Sequence, residues 1–351
     1  MASAGKAGAD RMDNTEIRLS SPAKTILLLL CSAATIFFAS CPPSFAQQPA
    51  LRKIRVLYLI RPLPVVVAQT QGIFAKYGLE VEFMIEPGSE KLRSDLAEGK
   101  GDVAFIAADN DVAMVESAGV DVVIVMGGES SSNELMVQPE IKSVGDLRGR
   151  RALVDAPNTA YALQLKKILL LNGLQPGKDV EIKSVGSTPY RLQGMKDEKA
   201  NAAAILNPPF SVLAKHAGLV SLGSMRKLLG ADQDRATFAL RSWVKEHPDL
   251  LEGYLAGYVQ GQRWLMDPAH RSQVVALLMK ESNVTEQIAN EWYEVVMQPG
   301  GYAKDARFDL DGFKKTLQLR AEVEPGGNGK VPKAEKYYDL SYYRAALKKI
   351  K

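Results

Sequence analysis

The stretch IRVLYLIRPLPVVVAQTQGIFAKYGLEVEFMI, residues 54–85, sets the pattern of the fold. Its first seven residues, 54–60, are rich in β-branched and apolar residues and predict a strand. Residues 65–77 predict a helix that Gly78 stops, and 79–85 alternate as a half-buried strand does. A strand, a helix and a second strand in this order form a βαβ unit, which predicts an α/β fold with parallel strands.

The same alternation of strands and helices continues to about residue 240. Further strands are predicted at 103–107, 122–126, 152–154, 180–185, 202–206 and 236–240. Beyond them the chain is predicted to be almost entirely helical, in segments 250–266, 271–280, 285–297, 310–321 and 340–349. The sequence therefore predicts mostly parallel sheets flanked by helices, with a helical C-terminal region.

The composition of the chain is that of an ordinary globular protein. Its 351 residues include 46% hydrophobic and 24% charged residues, which excludes a collagen, a disordered chain and a polytopic membrane protein. At roughly 150 residues per domain, this length suggests about two domains. The net charge of +4 gives no concentrated basic face, so we expect no nucleic-acid partner.

Residues 1–46 have the parts of a secretory signal peptide. Arg18 and Lys24 precede an uncharged apolar run, ILLLLCSAATIFFA at 26–39, and a small-x-small ending follows it. We expect cleavage after Ala46 and export to the periplasm. The alternative is an uncleaved anchor helix, but the run is shorter than the about 20 apolar residues that a membrane span needs.

The two cysteines of the chain, Cys31 and Cys41, both lie in this first segment. Residues 38–41, FASC, resemble the bacterial lipoprotein box, so a lipid anchor through Cys41 is a second route to an exported protein. The remainder of the sequence contains no cysteine, which excludes disulfides, thiolate nucleophiles, iron–sulfur clusters and cysteine-ligated zinc there.

Signatures of catalysis are absent from the sequence. It contains no phosphate-binding G-x-x-x-x-G-K-[ST], no G-x-G-x-x-G after a strand, no H-E-x-x-H and no G-x-S-x-G. The three histidines, His216, His247 and His270, are too far apart in sequence to form a local pair of metal ligands. We therefore predict no metal, no cofactor and no enzymatic activity.

Polar residues stand at the ends of the predicted strands. In open α/β sheets, ligands meet the carboxyl ends of strands and the N-termini of the helices that follow. Free N–H groups at helix starts, with Asn and Thr side chains, suit an anionic or strongly polar small ligand, and an Arg can pair with a carboxylate or sulfonate. Helix capping explains each residue taken alone. The predicted ligand-binding residues are Arg61, Asp109, Asn110, Ser131, Asp155, Asn158, Thr159 and Asn207.

Four segments resemble one family when they are taken in order. They are 72–82 (GIFAKYGLEVE), 96–104 (LAEGKGDVA), 143–154 (SVGDLRGRRALV) and 247–250 (HPDL). Together they resemble the exported solute-binding proteins of ABC importers, in the nitrate/sulfonate/taurine-binding and thiamine-pyrimidine-like family. The resemblance covers residues 54–276, which is most of the chain.

This resemblance implies a two-lobed, periplasmic-binding-protein-like fold of type II. Lobe one comprises 51–141 plus 237–351, lobe two comprises 142–236, and a ligand is held where the lobes close. The resemblance also implies an ABC permease and its ATPase as partners, and we expect a monomer. The ligand it implies is a small polar or anionic molecule, such as a sulfonate, taurine, nitrate, or a pyrimidine- or aromatic acid-like compound.

Two other functions remain open at this point. A periplasmic enzyme would use Asp109 and Asp155 as paired carboxylates in the cleft. A sensor would instead present its closed, ligand-bound form to a membrane histidine kinase.

Overall fold

The computed structural model describes residues 50–130, 132–324 and 329–350. The predicted signal peptide, the cleavage after Ala46 and the lipidation of Cys41 therefore lie outside the described residues and stay predictions. Residues 50–350, apart from these gaps, belong to one compact unit. None of the helices described is both long enough and apolar enough to span a bilayer.

The described residues include ten strands, in chain order. They are β1 (Arg52–Tyr58), β2 (Leu79–Ile85), β3 (Val103–Ala107), β4 (Val122–Ser130), β5 (Glu134–Val137), β6 (Arg151–Val154), β7 (Glu181–Ser184), β8 (Asn201–Leu206), β9 (Val220–Ser224) and β10 (Gln233–Leu240). The predicted strand at 122–126 extends further than expected, to Ser130. The sequence did not predict β5 and β9.

The same residues include fourteen α-helices. They are α1 (Leu63–Thr70), α2 (Ile73–Lys76), α3 (Ser89–Ala97), α4 (Asp109–Ala118), α5 (Ala160–Leu171), α6 (Thr188–Asp197), α7 (Phe210–His216), α8 (Met225–Leu229), α9 (Arg241–Glu246), α10 (Pro248–Met266), α11 (Arg271–Ser282), α12 (Glu286–Met297), α13 (Leu310–Val323) and α14 (Ser341–Lys349). The helical C-terminal region that the sequence predicts is confirmed by α10 to α14.

The strands form two sheets with the same plan. The first sheet has the order β2-β1-β3-β10-β4, and the second has the order β7-β6-β8-β5-β9. In each, three strands pair in parallel, as the βαβ pattern predicts. One strand in each sheet, β10 or β5, pairs antiparallel with both of its neighbours. The α/β fold predicted from the sequence is therefore confirmed, with the parallel pairing confined to three strands of each sheet.

The chain passes between the sheets at positions that differ from the predicted lobe boundaries. The prediction gave residues up to 141 to lobe one, but β5 (Glu134–Val137) pairs with β8 and β9 in the second sheet. On the return, β10 begins at Gln233, whereas lobe one was predicted to resume at 237. The turn-rich segment 143–149 suggested a boundary, although the chain had already crossed before β5. The division into two lobes stays a prediction.

Each sheet is covered by helices on both faces, which explains why β3 and β8 are buried throughout. One face of the first sheet packs on α1, α2, α10 and α14, and the other packs on α3, α4 and α13. The second sheet packs on α5 and α8 on one face and on α6 and α7 on the other. Sheets buried on both faces have nearly continuous apolar strands, and the VAFIA sequence of β3 is one of these.

Two glycines let α10 lie close to its neighbours. A Cβ at Gly261 would come within 2.1 Å of the carbonyl oxygen of Pro64 in α1, and a Cβ at Gly257 within 2.5 Å of the Phe74 ring. Real atoms do not approach so closely, so these positions require glycine in this packing. One turn earlier, Tyr254 stacks on Phe74 at a centroid distance of 5.8 Å. This contact anchors the C-terminal helices on the first sheet.

Candidate functional site

The ends of four strands bring the polar residues of the two sheets together. In the first sheet β1 lies beside β3, and in the second sheet β6 lies beside β8, each pair being parallel. Parallel neighbours end at the same edge of a sheet, where ligands of open α/β proteins bind. Two helices, α4 and α5, follow β3 and β6 and begin near this edge.

A cavity of about 40 Å³ lies at these strand ends and takes its walls from both sheets. In this arrangement it has room for about three water molecules, or for a solute of few atoms. Four of the predicted residues line it: Asn110, Asp155, Thr159 and Asn207. It is also lined by polar residues that the sequence did not single out as ligand-binding: Ser89, Tyr161, Thr188, Arg191 and Arg235.

Asp155 joins the two sides of the cavity wall. Its Oδ2 accepts a hydrogen bond of 2.6 Å from Ser89 Oγ, at the start of α3 on the first sheet. Its Oδ1 accepts one from Thr159 Oγ1, just before α5, and lies 4.0 Å from Nη1 of Arg191. Hydrogen bonds to an ionised acceptor are stronger than neutral ones. Asp155 therefore connects both halves of the molecule beside the cavity.

Arg191 supplies a fixed cation to the same wall. It is 1% exposed, and it donates to the carbonyl oxygen of Gly186 at 2.9 Å and to that of Ile205 at 3.2 Å. It also donates to Thr188 Oγ1 at 2.9 Å, and its guanidinium carbon lies 5.5 Å from the centre of the Tyr161 ring. Burial lowers the pKa of Arg191. The backbone carbonyls thus hold its guanidinium in place.

A second cation, the partly buried Arg235, lies among carboxyl groups. Its Nη1 lies 3.4 Å from Oε2 of Glu129, whose pKa is raised by burial. Burial also raises the pKa of the neighbouring Asp234 to about 7, although Arg235 opposes that shift. Asp234 accepts hydrogen bonds from Asn133 Nδ2 at 3.0 Å and from the Tyr161 hydroxyl at 3.4 Å. Asp234 thus joins the start of β10 to Asn133, which lies in the segment between β4 and β5.

Two asparagines add amide groups to the site. Asn110 donates to the carbonyl oxygen of Ala107 at 3.1 Å, while its buried Oδ1 has no hydrogen-bond partner among the described residues. Asn207 accepts a hydrogen bond of 2.6 Å from Thr188 Oγ1. A buried acceptor without a partner is uncommon in folded proteins and indicates a place where a bound donor fits.

Three further predicted residues are described but do not line this cavity. Arg61 follows β1 but lies half exposed, with Nη2 2.7 Å from Oε2 of Glu281 and its guanidinium over the Phe83 ring. Asp109 and Asn158 both accept hydrogen bonds from Arg320 of α13. The remaining predicted residue, Ser131, lies outside the described residues.

A larger cavity, of about 380 Å³, adjoins the first and shares Ala107 and Ala160 with it. It lies between α5, α13 and residues 228–234, and its wall combines four leucines with polar and charged side chains such as Gln164, Lys167 and Lys315. Asp109 also lines it, although both of its carboxylate oxygens are bound by Arg320. Because polar groups from the strand ends converge on the smaller cavity, we take that one as the candidate solute site.

The sequence analysis missed the two arginines of the site, Arg191 and Arg235. Arg191 lies within α6 and Arg235 within β10, so neither follows a strand as the predicted residues do. A polar residue inside a buried strand was the signal that could have indicated Arg235. In the part of the chain that the structure describes, no three His, Cys, Asp or Glu side chains are grouped so that they could hold a metal ion.

Two helix-flanked sheets with a polar cavity at their strand ends define a protein of the periplasmic-binding-protein fold. Residues 53–279 match the model of the NMT1-like family, and the chain belongs to that family. This confirms the family resemblance read from the sequence motifs.

Among curated relatives, the bicarbonate-binding protein CmpA of Synechococcus elongatus is 22% identical over 286 residues. The match covers 72% of this chain and 62% of CmpA, so the chain spans less than two thirds of that relative's length.

Solved structures share the fold at low identity. A Bordetella bronchiseptica protein has a TM-score of 0.73 at 18% identity and covers 86% of this chain and 98% of its own. The periplasmic nitrate-binding protein NrtA of Synechocystis has a TM-score of 0.68 at 14% identity, covering 86% and 89%. The desulfurization enzyme DszB has a TM-score of 0.59 at 15% identity, covering 85% and 99%. The fold thus occurs in binding proteins and in an enzyme.

Proposed function

We propose that this chain is the exported solute-binding component of an ABC importer. The observation that carries the proposal is the polar cavity at the ends of the strands, to which both sheets contribute side chains. Closure of two lobes over a solute buries it against both and excludes water, which strengthens each hydrogen bond to it. The family membership and the fold support this function over that of a structural or nucleic-acid-binding protein.

The proposed ligand is a small polar or anionic molecule. The volume of the cavity favours a solute of few atoms, and CmpA and NrtA are named for two such ions, bicarbonate and nitrate. Sulfonates, taurine and pyrimidine- or aromatic acid-like compounds need a wider opening of the lobes. Arg191 and Arg235 supply positive charge, and the Oδ1 of Asn110 supplies an acceptor.

The proposed partners are an ABC permease and its ATPase, which read the closed shape of a monomeric binding protein. For the lobes we propose 50–130 with 233–350, and 132–232, in accord with the membership of the two sheets. The proposed location is the periplasm, reached through the signal peptide of residues 1–46. A lipid tether at Cys41 is the alternative to cleavage after Ala46.

We propose that the chain binds without catalysing a reaction, although DszB shares its fold. A paired-carboxylate enzyme needs Asp109 and Asp155 free to transfer protons. Both oxygens of Asp109 accept hydrogen bonds from Arg320, and both oxygens of Asp155 accept them from hydroxyl groups. This arrangement supports roles in holding the structure together.

The proposal is tested by thermal unfolding of the full chain with nitrate, bicarbonate, taurine, an alkanesulfonate, a pyrimidine and an aromatic acid. A solute at 100 times its Kd stabilises a protein by about 2.7 kcal/mol, which gives a clear rise in Tm. The rise should be lost in Asn110→Ala and kept in Asn290→Ala, whose asparagine on α12 also donates to a backbone carbonyl.

If none of these solutes raises the Tm, the proposed function is wrong for this class of ligands. If a solute raises the Tm equally in wild type and Asn110→Ala, the site lies elsewhere. Gln164→Ala, which alters the larger cavity, then shows whether the solute binds there.

A further inference from the structure

Arg320 is a buried cation at the C-terminal end of α13 and is 4% exposed. Its Nε donates to Oδ1 of Asp109 at 2.7 Å and its Nη2 donates to Oδ2 at 2.8 Å. Two parallel hydrogen bonds of this kind fix the plane of the guanidinium. Burial alone would lower the pKa of Arg320, but Asp109 and Glu324 outweigh it and raise that pKa above its ordinary value. Arg320 is therefore a permanent, oriented charge.

The same guanidinium reaches a residue that follows the second sheet. Its Nη1 lies 3.2 Å from Oδ1 of Asn158, and its Nη2 donates to the Asn158 carbonyl oxygen at 3.4 Å. Glu324 contacts both residues of this pair. Its Oε1 accepts a hydrogen bond of 2.8 Å from Asn158 Nδ2, and its Oε2 lies 2.8 Å from Arg320 Nη1. Every polar atom of the Asn158 side chain is thus engaged by the end of α13.

This network crosses between the two sheets. Phe313 and Leu317 of α13 pack in the core of the first sheet, where Asp109 also begins α4. Asn158 lies between β6 of the second sheet and α5, which covers that sheet. The hydrogen bonds of Arg320 to Asn158 therefore exist only while the two sheets are in this relative position.

We infer that Arg320 is a positioning residue that holds Asn158, and with it the loop between β6 and α5, in the closed arrangement of the two halves. This goes beyond the proposed function, because it assigns part of the stability of the closed form to side chains of the protein and not to the solute. A solute binds more tightly when the competent form is already populated, since its apparent Kd is the intrinsic one divided by the populated fraction.

The test measures the distance between the halves in the full chain without solute, by pulsed electron spin resonance. Spin labels are placed at Glu80→Cys on β2 and Lys178→Cys beyond α5, both exposed, with Cys31 and Cys41 replaced by serine. Asn158→Ala and Glu324→Ala each remove a cross-sheet bond while the pair of Arg320 with Asp109 stays intact. Either change should lower about tenfold the ratio of molecules with the short distance between the labels to molecules with the long distance.

Two matched variants separate positioning from a general structural effect. Glu324→Gln keeps an acceptor for Asn158 and should restore the wild-type distances. Lys314→Ala breaks an ion pair that stays within α13, to Asp311, and should also leave the distances unchanged. Thermal unfolding of each labelled variant verifies that it is folded.

Unchanged distances in both alanine variants would overturn the inference, as would an equal lengthening in Lys314→Ala. Should Asn158→Ala fail to fold, Asn158→Ser decides in its place, since serine also lacks the amide that Arg320 and Glu324 bind. Because no solute is present, the result does not depend on whether the proposed ligand class is right.

Discussion

Two helices of the C-terminal region touch the second sheet's half of the molecule on different sides, and they do so with different chemistry. On one side, the buried Arg320 of α13 donates partly buried hydrogen bonds to Asn158. On the other side, α12 contacts α7 through Glu291, whose Oε2 lies 2.8 Å from Nε2 of His216. We call these contacts the α13 bridge and the α12 bridge.

The two bridges differ in how far their side chains are exposed to solvent. The side chains of His216 and Glu291 are 34% and 43% exposed, whereas those of Arg320 and Asp109 are 4% and 3% exposed. Water screens an exposed ion pair, so it adds little stability, while an unpaired buried charge is costly. We therefore expect the buried groups of the α13 bridge to contribute more stability than the exposed pair of the α12 bridge.

The largest expected effect comes from breaking the α13 bridge at its centre. Arg320→Leu leaves the Asp109 carboxylate buried without its partner, so we expect the free energy of unfolding to fall by about 3–5 kcal/mol. Urea denaturation measures the loss. The double variant Arg320→Leu/Asp109→Leu removes both charges and should recover most of it. A double variant as unstable as the single one would show that the pair is not the cause.

The sequence analysis chose its site residues because they follow strands, and whether any of them binds a ligand stays a prediction. Asn110, Asp155, Thr159 and Asn207 were predicted on this basis, and all four line the small cavity. The pattern of residues 54–85 also predicted β1 and β2, since periodicity and glycine stops are local signals. The single helix predicted at 65–77 is divided by Gly72 into α1 and α2.

The α13 bridge had no local signal of this kind. Asp109 and Asn158 were placed correctly at the strand ends, but Arg320, which binds both, lies 211 residues after Asp109. An arginine in a helix is expected to lie at the solvent-exposed surface unless a buried partner for its charge is known. The sequence analysis also missed the place where the chain first passes from the first sheet to the second. The strand that follows this place, β5, is only four residues long.

A second test concerns the start of β10, where Asp234 accepts a hydrogen bond from Asn133. Burial raises the pKa of Asp234 from 3.8 to about 7, so the folded state holds a proton that the unfolded state loses. The contribution of Asp234 to stability is therefore greatest below pH 3.8 and falls as pH rises to about 7.

We expect Asp234→Asn to flatten this decline, which has a slope of up to about 1.4 kcal/mol per pH unit for one proton. Urea denaturation of wild type and variant between pH 4 and pH 7 measures it, and Asp311→Asn, an exposed carboxyl on α13, is the control. Parallel pH profiles for wild type and Asp234→Asn would contradict the assignment, and the pH response would then belong to other groups.

The smallest effect is expected at the α12 bridge. The hydrogen bond from His216 lowers the pKa of Glu291, so the pair stabilises the fold above the ordinary carboxyl pKa and its contribution is lost as pH falls through the lowered value. His216→Gln removes the imidazole but keeps a hydrogen-bond donor, and the exposure of both groups limits the loss to less than about 1 kcal/mol. Urea denaturation measures this loss, with Lys53→Gln, whose lysine forms an exposed pair with Glu82, as the control. A loss from His216→Gln as large as that from Arg320→Leu would contradict this ranking, because the exposed pair would then contribute as much stability as the buried one.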